Sequence, residues 1–248
     1  MGLIPLGILS SAATIFPSFI PDLVARYDAS DLSSISLSGS DVTQWNDVSG
    51  NARHATQGTS ANRPKSGTRT INGINAIDFD GTNDYLFNNG VAASFSGEDK
   101  PFTVFIMQAR DVTGNLVPWS LGSTTTATPY FWQRGATLQI RDNASTTTVL
   151  TTTGIDAATP LFATFRSSGL NFTGYLNKTL VNTGTAYNRG AITLNRGTIG
   201  AFSSLAGVVG NFGEFFDGLI GELIYYNREL TALEVSQVHD YLSAKWLM

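Results

Sequence analysis

Few residues in this chain could do acid–base or covalent chemistry. His54 and His239 are the two histidines and there is no cysteine, so thiolate nucleophiles, disulfides and Cys-based zinc sites are excluded together. A Ser-His-Asp relay needs an imidazole held between a hydroxyl and a carboxylate. His54 lies in a turn-rich stretch and His239 in a helical one, so both read as surface or packing histidines. Hydrolysis of a glycosidic bond needs two carboxylates flanking it. The nearest approach is Glu214, Asp217 and the lone Glu222, whose spacing does not bring a pair to one strand face. Glu222 reads as a strand-edge residue paired with an Arg or with backbone. No glycine-rich phosphate loop is present. The expectation is a protein that is not an enzyme.

Two other sets of residues suit binding. Asp80, Asn83 and Asp84 offer oxygens within five positions, and Asn46 and Asp47 form a second pair. A calcium ion takes roughly six to eight such oxygens, so the first set is the candidate metal site. The same Asp-Gly-Thr-Asn-Asp run also reads as a turn whose side chains cap backbone amides. The second set is Trp119, Tyr130, Trp132 and Arg134. A sugar ring is recognised by an aromatic face with planar polar groups beside it. Tyr130, Trp132 and Arg134 share one face of a strand because side chains alternate. Trp132 facing the core is the competing reading, and Trp45 and Trp246 read as packing residues.

These side chains must be held by short strands. Segments 22–28, 42–45, 76–79, 85–87, 101–109, 116–121, 130–133, 138–141, 147–150, 161–165, 171–176, 192–199 and 219–226 are apolar or alternating and are punctuated by Gly, Asn and Pro. The run 101–109 is apolar on both parities, as a strand buried on both faces would be. Segments 76–79 and 85–87 read as a hairpin about Asp80–Asn83. One helix is expected near the C-terminus. Thr231 and Glu234 have capping-box spacing, Leu230 and Val235 can staple the first turn, and Val235, Val238, Leu242 and Trp246 recur at helical spacing. That helix should close one end of the β-structure.

The 248 residues are 42% hydrophobic and 14% charged, with 25 Gly, against a typical charged share of roughly a quarter. A net charge of −4 gives no electrostatic reason to expect nucleic acid as a partner. Residues 1–21 contain no Lys, Arg, Asp or Glu. A signal peptide cut near Ala13 would need a positive n-region, which is missing, and Pro5, Pro17 and Pro21 break a membrane-spanning helix. The segment reads as an extended apolar arm, residues 1–21, joined to one domain, 22–248. An apolar arm implies a burial partner, either neighbouring subunits, as in a homo-oligomer or a larger assembly, or its own domain.

Several motifs carry a resemblance: Leu23–Asp31, Trp45–Asn51, His54–Gln57 and Phe79–Leu86 near the start, and Gly218–Leu230 and Tyr241–Trp246 near the end. Together they resemble the laminin-G-like, concanavalin-A-like lectin jelly-roll domains of tailed-phage virion proteins and bacterial surface proteins. Leu3-Ile4-Pro5-Leu6-Gly7 is also similar to the start of phage structural proteins. The resemblance implies an all-β jelly-roll sandwich with a short C-terminal helix and an N-terminal arm. It also implies a non-enzymatic virion structural or attachment protein, its arm on other virion subunits and its loops on cell-surface glycan. The Glu-x-Asp-x-x-Glu strand of the laminarinase-like branch is absent here. A glycan-cleaving enzyme and a secreted bacterial adhesion module are the alternatives.

Overall fold

The structure, a computed structural model, describes residues 15–124, 131–141, 146–151, 155, 159–184, 186, 188, 190–203 and 212–248. It is an all-β sandwich in which every strand pairing is antiparallel. One sheet contains β1 (Leu23–Asp28), β5 (Lys65–Ile71), β6 (Ile74–Asp80), β9 (Phe102–Arg110), β14 (Leu161–Ser167), β15 (Phe172–Leu176), β16 (Thr179–Thr183) and β21 (Asp217–Tyr226). Its order is β16-β15-β14-β9-β21. β1 and β6 share the far side of β21, and β5 lies outside β6. The second sheet contains β2 (Ile35–Ser38), β3 (Asp41–Trp45), β4 (Ala55–Thr56), β7 (Leu86–Phe87), β10 (Trp119–Gly122), β11 (Phe131–Arg134), β12 (Thr137–Arg141), β13 (Thr146–Thr151) and β18 (Arg196–Ile199). Its order is β2-β3-β4-β7-β18-β10-β11-β12-β13. A single bridge, Asp41 to Lys65, joins the two sheets along one edge. Two small ribbons, β8 (Gly97–Glu98) with β17 (Ala191–Ile192) and β19 (Phe202–Ser203) with β20 (Phe212–Gly213), complete the strands. A four-residue turn of helix, α1 (Asn89–Ala92), follows β7.

The strand buried on both faces is β9, and all nine of its residues are buried. Phe102, Val104 and Ile106 join the core between the sheets. Phe105, Met107 and Ala109 join a second apolar layer on the outer face of the first sheet. That outer layer is made by the C-terminal helix α2 (Ala232–Lys245), through Val235, Val238, Tyr241, Leu242 and the capping Trp246. Both halves of the Thr231–Glu234 capping box form. The helix therefore lies flat on a sheet face and does not close an end. The apolar side chains of the outer face of β9 and β21 must be covered, and an amphipathic helix covers them.

The expected hairpin about Asp80 is not one. β6 pairs with β5 and β21, while β7 pairs with β4 and β18, so the turn carries the chain from one sheet to the other. The hairpin in this region is β5–β6, turned by Asn72 and Gly73, both at positive φ. At the other end, Phe16 and Ile20 pack on the domain itself. The Phe16 ring meets Tyr241 edge-on at 5.3 Å and lies 4.3 Å from the Arg26 guanidinium, and Ile20 is 2% exposed. Phe16 and Ile20 thus have a burial partner in their own domain, while Ile15 and Phe19 between and beside them are exposed, and residues 1–14 lie outside the described residues. Among the described residues no helix is long and apolar enough to cross a membrane.

Candidate functional site

The turn after β6 is built by its own side chains. Asp80 Oδ1 accepts from the backbone amides of Thr82 (2.8 Å), Asn83 (3.1 Å) and Asp84 (3.4 Å), and Asp84 Oδ2 accepts from the Asp80 amide at 3.1 Å. Gly81 is required here, since its φ is +69° and a Cβ would lie 2.7 Å from the Asp217 Cβ. Beside the turn opens a cavity of about 470 Å³, lined by Asp41, Arg63, Lys65, Asp78, Asp80 and Asp84 with Ser60, Ala61 and Asn83. Arg63 is fixed at its rim by donating to the carbonyls of Gln57 (3.0 Å) and Gly58 (2.9 Å). Asp78 accepts from Thr68 Oγ1 (3.0 Å) and Arg69 Nη1 (3.1 Å). Burial, with the Asp80 charge beside it, pushes the Asp84 carboxyl up to about 7.

Asp80, Asn83 and Asp84 are therefore together, as the spacing implies, but three amides converge on one Asp80 oxygen and a fourth holds an Asp84 oxygen. These are turn-capping contacts, and the donor set does not fit the cage of oxygens that calcium takes. Among the described residues no group of three or more His, Asp or Glu is arranged to hold a metal ion.

Of the proposed stacking set, Trp119 and Arg134 have described side chains, and Trp119 does not face outward. Trp119 is fully buried, tilted against Phe165 and edge-on to Tyr225, both at 6.1 Å. It is a core residue and cannot face a ligand, because β10 turns it inward beside Leu121. Tyr130 lies outside the described residues. Trp132 sits on β11 opposite Ser120 and Gln139 by backbone register, and its side chain lies outside the described residues. Arg134 is held by Glu214, its Nε 2.9–3.0 Å from both carboxylate oxygens and its Nη2 2.5 Å from Oε1. Trp45 and Trp246 are fully buried packing residues.

Glu222 is not at a strand edge but central in β21, and it is 0% exposed. It accepts from Arg26 Nε (2.7 Å), Tyr241 OH (2.9 Å), Lys245 Nζ (2.9 Å) and Trp246 Nε1 (3.1 Å). Asp28 joins the network through Lys245 at 2.5 Å and Arg26 at 2.6 Å. Burial opposes its charge, but Lys245, Ser30 and Arg26 together outweigh burial, so its carboxyl lies below the usual range. The network ties α2 to the sheet, and a substrate has no access to Glu222. Sequence reading misses its centrality, since only the fold brings positions 26, 28, 222, 241 and 245 together. His239 is buried among Phe105, Phe162 and Tyr175 with Thr164 Oγ1 at 2.9 Å from Nε2, and burial lowers it to about 4. His54 is exposed, and its Nδ1 accepts from the Asp47 amide at 3.2 Å. Neither histidine sits in a hydroxyl–imidazole–carboxylate relay.

The sequence matches no protein-family profile and no curated protein. The fold is similar to solved structures. Domain 4 of the GH43 extracellular arabinanase AbnA from Geobacillus stearothermophilus, in complex with arabinotriose, has a TM-score of 0.60 at 16% identity, over 89% of this chain and 98% of that one. The Trypanosoma rangeli sialidase in complex with sialic acid gives 0.58 at 14%, over 90% and 33%. A botulinum neurotoxin type C structure, whose cell entry depends on interaction with two ganglioside molecules, gives 0.57 at 11%, over 89% and 51%. The chain spans about a third of the sialidase and half of the toxin chain. At these identities the likeness concerns the fold, a β-sandwich.

Proposed function

We propose that the chain is a non-catalytic, glycan-binding sandwich of the lectin-like kind. It serves as a structural or attachment protein of a tailed-bacteriophage virion. The observation that carries the sugar reading is the cavity beside Asp80 and Asp84. Its 470 Å³ falls within the roughly 300–1,000 Å³ of small-ligand sites. Its carboxylates, Arg63, Lys65 and Asn83 are donors and acceptors suited to sugar hydroxyls, several of them charge-assisted. Proteins of similar fold include an arabinanase domain that holds arabinotriose, which supports the same use here. The virion reading rests on the sequence resemblance and on the apolar stretch up to residue 14, which would seek neighbouring subunits. Glycan-array binding of the wild type and of the Asp41→Ala/Lys65→Ala double variant tests the sugar reading. A wild-type signal that the variant loses at least about ten-fold is expected; no signal from the wild type, or equal signals, would refute it.

A second reading, a glycan-cleaving enzyme, is favoured by one observation. The cavity is lined by the carboxylates of Asp41, Asp78, Asp80 and Asp84, and glycoside hydrolysis needs two carboxyls about a bound sugar. Release of reducing ends from an oligosaccharide by the wild type, and not by Asp84→Asn, would replace the binding reading with this one.

A further inference from the structure

On β9 the side chains that face the second sheet begin as Phe102, Val104 and Ile106 and then change character to Gln108 and Arg110. On the facing sheet the corresponding polar residue is Gln133. It is paired across β11–β12 with Leu138, a core residue, and so faces inward too. The backbone of Gly114 and Gly135 links the groups. Arg110 Nη2 donates to the Gly114 carbonyl at 2.7 Å, a Cβ on Gly135 would lie 2.7 Å from that same carbonyl oxygen, and Gln133 Nε2 donates to the Gly135 carbonyl at 3.3 Å.

What remains at this end of the core is unpartnered. Arg110 is 3% exposed, its Nε has no hydrogen-bond partner and no carboxylate of the described residues pairs with it. Gln108 is 0% exposed and neither of its amide atoms has a partner, and Gln133 Oε1, equally buried, has none. Buried polar groups are nearly always satisfied, and a buried guanidinium is nearly always paired with an anion. Burial alone lowers the Arg110 pKa, with no neighbouring charge to offset it. The turn at 111–115, which leads off β9, is exposed, so this end of the sandwich is next to solvent.

We propose that Arg110, Gln108 and Gln133 form a binding site for a small ligand bearing one carboxylate. The single cation with two neutral amides selects the ligand class. A planar carboxylate matches the guanidinium edge and is neutralised by it, whereas a phosphate or sulfate dianion would leave charge uncompensated among glutamines. The two amides then serve a hydroxyl or carbonyl next to the carboxylate, as in a hydroxy acid or a uronic acid. This site is separate from the Asp80–Asp84 cavity and does not depend on the sugar reading there.

The test is calorimetric titration and thermal shift of the full chain with sodium D-glucuronate, D-glucose, sodium acetate and sodium sulfate at matched ionic strength. Saturable binding of glucuronate, weaker binding of acetate and none of glucose or sulfate are expected. Arg110→Met, which keeps length and removes the unpaired charge, should bind glucuronate at least ten-fold more weakly while melting no lower than the wild type without ligand. Gln108→Leu should weaken glucuronate more than acetate. Absence of saturable glucuronate binding by the wild type, equal binding of sulfate, or unchanged affinity in Arg110→Met would each overturn the proposal.

Discussion

Acidification should destabilise this protein through His239, and the effect can be isolated. The ring is 3% exposed, packed against Phe105, Phe162 and Tyr175, and burial lowers its pKa from 6.5 to about 4. A folded pKa below the unfolded one means that the unfolded chain takes up the proton first. Stability is therefore intact above about pH 6.5 and falls as pH drops towards 4. The separation of about 2.5 units corresponds to roughly 3 kcal/mol in full, of which about 2 kcal/mol is lost between pH 7.5 and 5. The assay is urea unfolding of the wild type and of His239→Leu at both pH values. The variant loses the Thr164 contact at every pH, so its absolute stability is not the readout. Carboxylates titrate in both proteins and cancel in the comparison. The wild type should lose about 2 kcal/mol more than the variant over this range. Parallel losses, within about 0.5 kcal/mol, would refute the buried neutral imidazole.

Three further outcomes follow from the same geometry. Glu222→Gln removes the anion shared by Arg26 and Lys245 and should cost about 3 kcal/mol in urea unfolding. Gly221→Ala would put a Cβ 2.6 Å from the Trp246 ring, so it should cost about 2 kcal/mol and red-shift tryptophan fluorescence as the end of α2 is displaced. Asp84 has the opposite sign to the histidine: its folded pKa of about 7 lies above 3.8, so its contribution is present at low pH and lost as pH rises through 4–7. Asp84→Asn keeps an acceptor for the Asp80 amide, and its melting temperature relative to the wild type should rise between pH 5 and pH 8 by about 2 °C or more.

Local pattern alone determined several elements. The Thr231–Glu234 box fixes where α2 begins, because the cap is made by residues three apart in sequence. The two-parity apolar run fixes β9 as a central strand. Asp80 and Asp84 meet because a turn brings neighbours together. Tertiary structure alone decided the rest. The Asp80 turn looked like a hairpin, but strand partners are chosen by which faces can be buried, and β6 and β7 went to different sheets. Trp119 looked like a stacking residue, but the composition of a strand does not say which parity faces inward until its register with β18 is set. Glu222 gathers its donors from positions 26, 241, 245 and 246, and Arg110 is linked to Gln133 of the facing sheet only through the backbone of Gly114 and Gly135. Such sites are assembled by packing over long sequence separations, where no spacing rule reaches.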